Sequence, residues 1–396
     1  MMKKLPLILS IIFFCSCSTT NKREDTCNVK SPFIVTDQVQ TIPVHVDGND
    51  YFNHVEDYLR TTSYVKLAPE PLLTNINDIH IVNDRIFVWD QADQIVCYDM
   101  QGNVIYRIHG VGNGPGEYSA IHAFTVNPDK GELIIYDNLR ISLLYYSMLN
   151  GSYLRTESFP KPNPSEMAFF DGVYFYNNRD HRNYPSDNDS LLHYSLLVSA
   201  DGLKMDKNYF PHNDAEEKYI FSPSMQTFYD NDTALYYCRN FDNTVYQLSK
   251  DSLIARYCID LPDPLPFSKV EERANEWELV KSDYAFGIFS VYECDSLLYF
   301  RFNKSGYIMA ALYDLVQNKQ ICCVKVMQDS PAPTVPLIDT IDGIYKGQFF
   351  GVLSPVFIDY CVTNRPGEYP ALFRQYDAES ENPVIAFYEV IKNKKL

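Results

Sequence analysis

Basic residues are scarce in this chain of 396 residues: 34 Lys and Arg stand against 51 Asp and Glu, a formal charge of −17. That balance argues against nucleic acid as a partner, because phosphates have to be neutralised by Lys and Arg. It argues equally against adhesion to anionic lipid through charge. Long apolar runs are lacking as well. Leu5 to Phe14 covers ten residues, about half of the roughly 20 that a membrane-spanning helix needs. Helical periodicity is scarce throughout. The ten cysteines include no C-x2-C pair of the kind zinc sites use. Cys97, Cys238, Cys258, Cys322 and Cys361 lie inside apolar runs and read as buried thiols. Export permits disulfides, and Cys294 then has Cys322 or Cys323 as a partner. Neither a G-x-S-x-G elbow nor an H-E-x-x-H helix occurs.

What is present starts at the N-terminus. Lys3 and Lys4 precede the apolar run, which ends in Phe14-Cys15-Ser16-Cys17. Positive start, short apolar core and small residue before the cut describe a secretory signal peptide. The ending resembles a bacterial lipobox, with Ser16 before Cys17. The resemblance implies cleavage after residue 16 and lipid on Cys17, so that the protein meets the membrane only through that lipid. Phe14 and Cys15 depart from the usual lipobox residues. Removing residues 1–16 takes away two lysines and no acid, which carries the charge from −17 to −19. Residues 17–54, rich in Pro, Asp, Asn and Thr, read as a tether.

From residue 55 onward the chain repeats itself. RIFVWDQADQIVCYDMQGNVIYRI (85–108) is followed by ELIIYDNLRISLLYYSMLNGSYLRTESF (132–159). Each copy has an apolar strand ending in an aromatic residue and Asp, a polar loop, a second strand, a tight turn and a third strand. The turns Gln101-Gly102, Asn150-Gly151 and Asp201-Gly202 carry residues suited to the positive φ of two-residue hairpins. A further strand precedes each copy. Equivalent positions in five copies are Tyr98, Tyr146, Val198, Tyr246 and Tyr313. Four-stranded units of about 40–50 residues mark propeller blades. The last unit, near 341–391, lacks an outer strand, and the orphan TTSYVKLAP (61–69) can supply it. The expected fold is therefore all-β: a six-bladed β-propeller of four-stranded antiparallel blades over 55–396. An N-terminal strand closes its last blade, with Tyr64-Val65-Lys66-Leu67 antiparallel to Ile385-Ala386-Phe387-Tyr388. The insertion 261–283 reads as partly helical.

Between the first two copies runs HGVGNGPGEYSAIHAF (109–124). Its glycines do not have the G-x-G-x-x-G spacing, and no helix follows, so a dinucleotide fingerprint is excluded. No Lys-Ser or Lys-Thr supplies a phosphate loop. Gly112, Gly114, Pro115, Gly116, Glu117 and Tyr118 read instead as a structural crossing from blade edge to ring centre, with Pro115-Gly116 at the middle of a type II turn. This loop, the lipobox and the ending ENPVIAFYEV (381–390) together resemble a family of six-bladed β-propeller lipoproteins of unknown function from anaerobic gut bacteria, distantly related to NHL and TolB-like propellers. The resemblance implies an exported propeller on the outer membrane, on its periplasmic or surface side. It implies no known chemistry.

Site candidates follow from the loops that share a face with the Gly-rich crossing. They place Asp90, Asp137, Arg140, Arg179, His181, Arg182, Arg239 and Arg301 together. The ligand-binding expectation rests on Arg140, Arg179, Arg239, Arg301, Asp90 and Asp137, with the insertions 177–190 and 355–380 walling a cleft. Arg239 and Arg301 sit at corresponding ends of neighbouring blades and suit one anionic group. Weaker constellations are His109, Glu117 and His122 as metal ligands, and Asp90, Asp137 and Asn177 around the channel mouth. No catalytic residue, metal set or cofactor is assigned. The reading is a cell-envelope binding module for glycan, peptide or another envelope protein. The alternative is a metal-dependent hydrolase or lyase of the lactonase type. Replacing Cys17→Ala is expected to move the protein from the membrane to the soluble fraction; unchanged membrane fractionation would refute lipid attachment there.

Overall fold

The computed structural model describes residues 34–35, 39–46, 55–159, 163–178, 194–213, 215–216, 226–272, 276–325, 338, 340–364, 369–373 and 376–391. Six sheets follow one another around a ring. The first blade is Ile76–Val82, Arg85–Asp90, Gln94–Asp99 and Val104–Ile108. The second is Ala123–Asn127, Glu132–Asp137, Ser142–Ser147 and Tyr153–Ser158. The third is Glu166–Phe170, Val173–Asn177, Tyr194–Ser199 and Lys207–Pro211. The fourth is Phe228–Asp230, Leu235–Cys238, Thr244–Leu248 and Leu253–Asp260. The fifth is Ala285–Cys294, Leu297–Lys304, Tyr307–Asp314 and Lys319–Lys325. The sixth is Gly343–Tyr345, Gln348–Leu353, Val384–Val390 and, from the other end of the chain, Leu59–Lys66. The repeat read from the sequence is the blade.

Burial explains the residue pattern. Middle strands are covered on both faces by neighbouring blades, so Glu132–Asp137 is buried at every position and reads as a continuous apolar run. Outer strands alternate, as in Tyr153–Ser158. Tyrosine suits this packing because its ring fills the space between blades while its hydroxyl finds a partner. The Tyr257 hydroxyl donates to Glu293 Oε2 in the next blade at 2.6 Å, and the Tyr176 hydroxyl to the Gly202 carbonyl at 2.6 Å.

The closing strands pair antiparallel as expected, but two residues out of the expected register: Val65 faces Ile385, Tyr64 faces Ala386, and Tyr388 lies opposite Thr61. A buried Asn382 ties down the chain that leaves this strand. Its side chain accepts from Leu73 N at 2.7 Å and donates to the Ala68 and Pro71 carbonyls at 2.6 and 2.9 Å. The insertion 261–283 is partly helical, with short helices at Phe267–Glu271 and Glu276–Lys281.

The expected tether departs from its description. Ile34–Val35 and Gln40–Pro43 are strands that run parallel to Leu253–Asp260 and extend the fourth blade outward. Val44 N donates to Asp260 O at 3.0 Å, and His45 exchanges two bonds with the Gln320 side chain of the fifth blade, at 2.9 and 2.7 Å. Ile42 and Val44 are buried. The period-two signal Ile42, Val44, Val46 is the mark of a half-buried strand, and Pro43 hides it; an edge strand tolerates that proline. Covering this edge removes an exposed ladder of backbone donors and acceptors.

Gly102 provides a test of closure. Its φ is +82°, and a Cβ there would lie 2.0 Å from the Lys66 carbonyl of the closing strand. Gly131, at φ +65°, has nothing within 4 Å of its Cβ position. Gly131→Ala should cost about 1–2 kcal/mol from conformation alone. Gly102→Ala should cost more, about 3–5 kcal/mol, because backbone has to move. Equal losses in urea unfolding would mean that positive φ alone sets the cost and that the closing strand does not press on Gly102.

Candidate functional site

Strands that alternate direction put the first-to-second and third-to-fourth turns on one face, and the second-to-third loops and blade crossings on the other. Arg301 lies within the second strand of the fifth blade, and Asp90, Asp137 and Arg140 lie on the crossing face. Asp90 and Asp137 are fully buried there. Asp90 Oδ2 accepts from Thr74 N at 3.0 Å and from Gln94 Nε2 at 2.8 Å, and its Oδ1 accepts from Ala92 N at 3.1 Å. Asp137 Oδ2 accepts from Ser119 N at 2.7 Å, and its Oδ1 from Leu139 N and Arg140 N at 3.1 and 3.2 Å. Each carboxylate thus fastens the chain entering its blade to the end of its second strand. Asn177 holds Ser165 in the third blade in the same manner. Asp90 and Asp137 satisfy turn amides, Asn177 binds Ser165 and the Tyr237 hydroxyl, and none of the three lines the cavity on the ring axis.

Arg140 reaches into the Gly-rich crossing. Its guanidinium donates to the Gly112 carbonyl, to the Glu117 carbonyl at 2.6 Å and to Asn113 Oδ1 at 2.9 Å. Inside the loop, Gly114 N donates to Glu117 Oε2 at 2.6 Å, Glu117 N to Gly114 O at 3.0 Å, and the buried Tyr118 hydroxyl to Asp93 O at 2.6 Å. A Cβ on Gly112 would lie 2.1 Å from Glu117 Oε2. The carboxylate occupies the amide cradle that a phosphate would need. Glu117 therefore stands apart from His109, which lies beside Arg107, and from His122, which packs against Tyr136 with its imidazolium disfavoured by burial. Among the described residues no three His, Cys, Asp or Glu side chains are placed to hold a metal ion.

Arg239 and Arg301 are engaged by separate partners. Arg239 pairs with Glu216 at 3.0 Å and stacks on Phe210. Arg301 bonds Ser290 Oγ at 2.6 Å, lies 3.7 Å from Asp342 and packs over Phe289. Arg179, His181 and Arg182 lie outside the described residues, as does Cys17. So do most of 177–190 and part of 355–380, where Pro355–Asn364 is a helix. The described cysteines form no disulfide.

A cavity of about 660 Å³ runs along the ring axis and reaches the opposite face. Its wall comes from the first strands of the blades and the turns that follow them. Eight carboxylates line it: Asp78, Asp84, Asp129, Glu166, Asp171, Asp230, Asp232 and Asp342. Two basic residues, His80 and Lys346, line it as well. Many of the acids have a conformational reason to be where they are. The turns need positive φ, which Asp adopts more readily than most residues, and Asp84, Asp171 and Asp232 have φ of 57°, 51° and 65°. Asp78 and His80 are two apart on one strand and so share a face.

The polar wall is partly knitted together. His80 Nε2 lies 3.1 Å from Asp78 Oδ2, and Gln226 donates to Asp78 Oδ1. Glu166 crosses to the fourth blade, accepting from Thr227 N and Oγ1 at 2.7 and 2.6 Å and from Phe228 N at 3.1 Å. Asp342 accepts from Val352 N at 2.8 Å. Lys346 is committed to Asp84, as is the Tyr345 hydroxyl at 2.9 Å. Burial disfavours protonated His80, but the carboxylates of Asp78, Asp230 and Glu166 outweigh it and raise its pKa. Asp230 is raised by burial, against the Asp232 amide and His80. Its side chain is nonetheless exposed, because it stands on the wall of a wide internal space. None of these acids was selected from the sequence. The available signal was the alternation of polar Asp78 and His80 with Ile79 and Ile81 in a strand assigned to the ring centre.

The chain belongs to the family described as Domain of unknown function (DUF4934), which matches residues 39–389. No curated protein matches it. Among solved structures, a presumed exported protein of Bacteroides fragilis is similar at 19% identity and a TM-score of 0.72, covering 91% of this chain and 100% of its own. A member of the duf4221 family from Bacteroides vulgatus has 10% identity and a TM-score of 0.47, over 84% of this chain and 98% of its own. Virginiamycin B lyase of Staphylococcus aureus has 11% identity and a TM-score of 0.43, over 84% and 100%.

The His80 environment makes a pH prediction. A histidine whose pKa rises on folding contributes stability that is fully present below about 6.5 and is lost as pH climbs through its folded value. NMR titration should place His80 above 6.5, and Asp78→Asn should lower it. Wild type should lose stability relative to His80→Gln as pH rises through that value. A native His80 titrating below 6.5 would mean that burial prevails over the surrounding carboxylates.

Proposed function

We propose that this chain is an exported lipoprotein propeller whose task is binding, and that its ligand enters the axial cavity. The carrying observation is the cavity itself, at a volume of about 660 Å³. Ligand sites commonly measure about 300–1,000 Å³. The fold supports a binding or interaction module in general terms, and sites on such folds have to be argued from their own geometry. The expected alternative on the crossing face has less in its favour, because Asp90, Asp137 and Arg140 are engaged by that face's own turns.

Address supports the same reading. Residues 1–17 carry the leader and lipobox pattern, and the Bacteroides fragilis relative bears an exported-protein name. The N-terminal strand begins beside Leu253, just after a third-to-fourth turn, on the face that the cavity reaches. Counted from Cys17 to Ile34, the chain can extend at most about 60 Å at roughly 3.5 Å per residue. A lipid at Cys17 would keep that face within this distance of the membrane.

The test is a screen of the purified chain against glycans, peptides and envelope extracts, followed by two variants. Ala168→Trp intrudes on the cavity wall, and Arg239→Ala alters the crossing face. Binding should fall at least about tenfold, roughly 1.4 kcal/mol, in the first and change less than about twofold in the second, with thermal unfolding verifying both folds. The reverse pattern would return the site to the crossing face.

A further inference from the structure

We propose that the axial cavity takes an organic cation, an ammonium or guanidinium group, received by the carboxylate of Asp230 and the hydroxyl of Tyr292. This rests on the cavity being the ligand site. The eight carboxylates of its wall face only two basic side chains, and Lys346 is already bonded to Asp84. A third cation, Arg301, adjoins Asp342 at 3.7 Å and lies outside the wall. The uncompensated charge repels an anion, and a neutral sugar would leave it unanswered.

Tyr292 points to the ligand independently of the acids. Its side chain is only 4% exposed, yet it lines the cavity. Its ring packs edge-on against Tyr229 at 5.7 Å. Its hydroxyl makes no hydrogen bond among the described residues, and unlike the equally unpartnered Tyr98 hydroxyl it belongs to a residue on the cavity wall. That oxygen is not among the fully buried polar atoms that lack a partner, so it opens to the cavity space, where a bound donor or acceptor can meet it. Asp230 is exposed to the cavity space: Oδ1 accepts from Asp232 N at 2.9 Å, while Oδ2 has no donor among the described residues and is open to a ligand. An ammonium or guanidinium supplies several N–H donors, enough for Asp230 Oδ2 and the Tyr292 oxygen. No described trio of carboxylates is placed to hold a metal ion, and the space greatly exceeds an ion's needs.

Calorimetry on the purified full chain tests this with spermidine, a Gly-Lys-Gly peptide and a Gly-Arg-Gly peptide, each blocked at both ends. N-acetylglucosamine and glucuronate serve as neutral and anionic comparisons. At least one cationic probe should bind, and the arm that binds distinguishes a free amine from a basic side chain. Asp230→Asn should weaken it about tenfold or more and Tyr292→Phe about threefold or more. Glu278→Gln, which makes the same charge change at an exposed helical position outside the cavity, should leave affinity within about twofold. Equal affinity in all three variants would reduce the binding to diffuse attraction by the acidic chain and overturn the proposal. So would the failure of every cationic probe to bind at about 1 mM. A neutral ligand displaced by Ala168→Trp but indifferent to Asp230→Asn would keep the cavity as the site and end the cation assignment.

Discussion

The ring stands on one non-local pairing: Leu59–Lys66 lies antiparallel to Val384–Val390, more than 300 residues away along the chain. The four antiparallel strands of every other blade are consecutive and can form locally; the N-terminal strands added to the fourth blade lie outside that set. Without the closing pair the sixth blade and the first would each present an open flank, and a propeller of separate blades would have edges to aggregate through. The reinforcements cluster accordingly. Asn382 binds the exit of the closing strand at three backbone groups, Lys66 reaches Glu381 at 2.6 Å, and the first blade's hairpin at Gly102 lies against the Lys66 carbonyl. Because loop closure of such length has to be achieved before these contacts form, many modest bonds converge on one junction.

A second constraint is that connections between blades run through polar chain whose backbone groups need partners. The fold meets it with carboxylates. Asp90 and Asp137 end equivalent strands and fasten equivalent incoming segments, and Glu117 does the same for the Gly-rich crossing, with Arg140 across its carbonyls. Acidic residues at these places are turn fasteners. On the other face the same residue type serves tight hairpins with positive φ, where Asp84, Asp171 and Asp232 sit. There the side chains end on the axis, and six-fold repetition gathers them into one electrostatic environment. An architectural preference for Asp thereby gives the cavity its negative potential, focused by protein walls of low dielectric.

Much of the fold was legible in the sequence. Strand runs, hairpin turns and their spacing are local properties, and a repeat shows them several times over; even the closing partner could be found, since one blade lacked a strand and one strand lacked a blade. The N-terminal strands at Ile34–Val35 and Gln40–Pro43 were less legible because they are short, broken by proline and held by an edge far away in sequence. The site was legible least. Choosing Arg140, Arg239 and Arg301 for their charge presumed that loop arginines are available. Which contacts a guanidinium already makes depends on chain brought near it by folding: Gly112 and Glu117 for Arg140, Glu216 for Arg239, Ser290 and Asp342 for Arg301.

The sequence by itself determined the blade, the number of blades, the manner of closure and the structural nature of the Gly-rich crossing, because each follows from residue types within a few positions of one another. Tertiary structure alone decided where the charges meet. Asp78, Glu166, Asp230 and Asp342 come from four different blades, and apart from the alternation around Asp78 their local sequences do not distinguish them from solvated surface acids. Only curvature of the sheets around a common axis brings them to one cavity, where an ordinary set of carboxylates becomes a concentrated field.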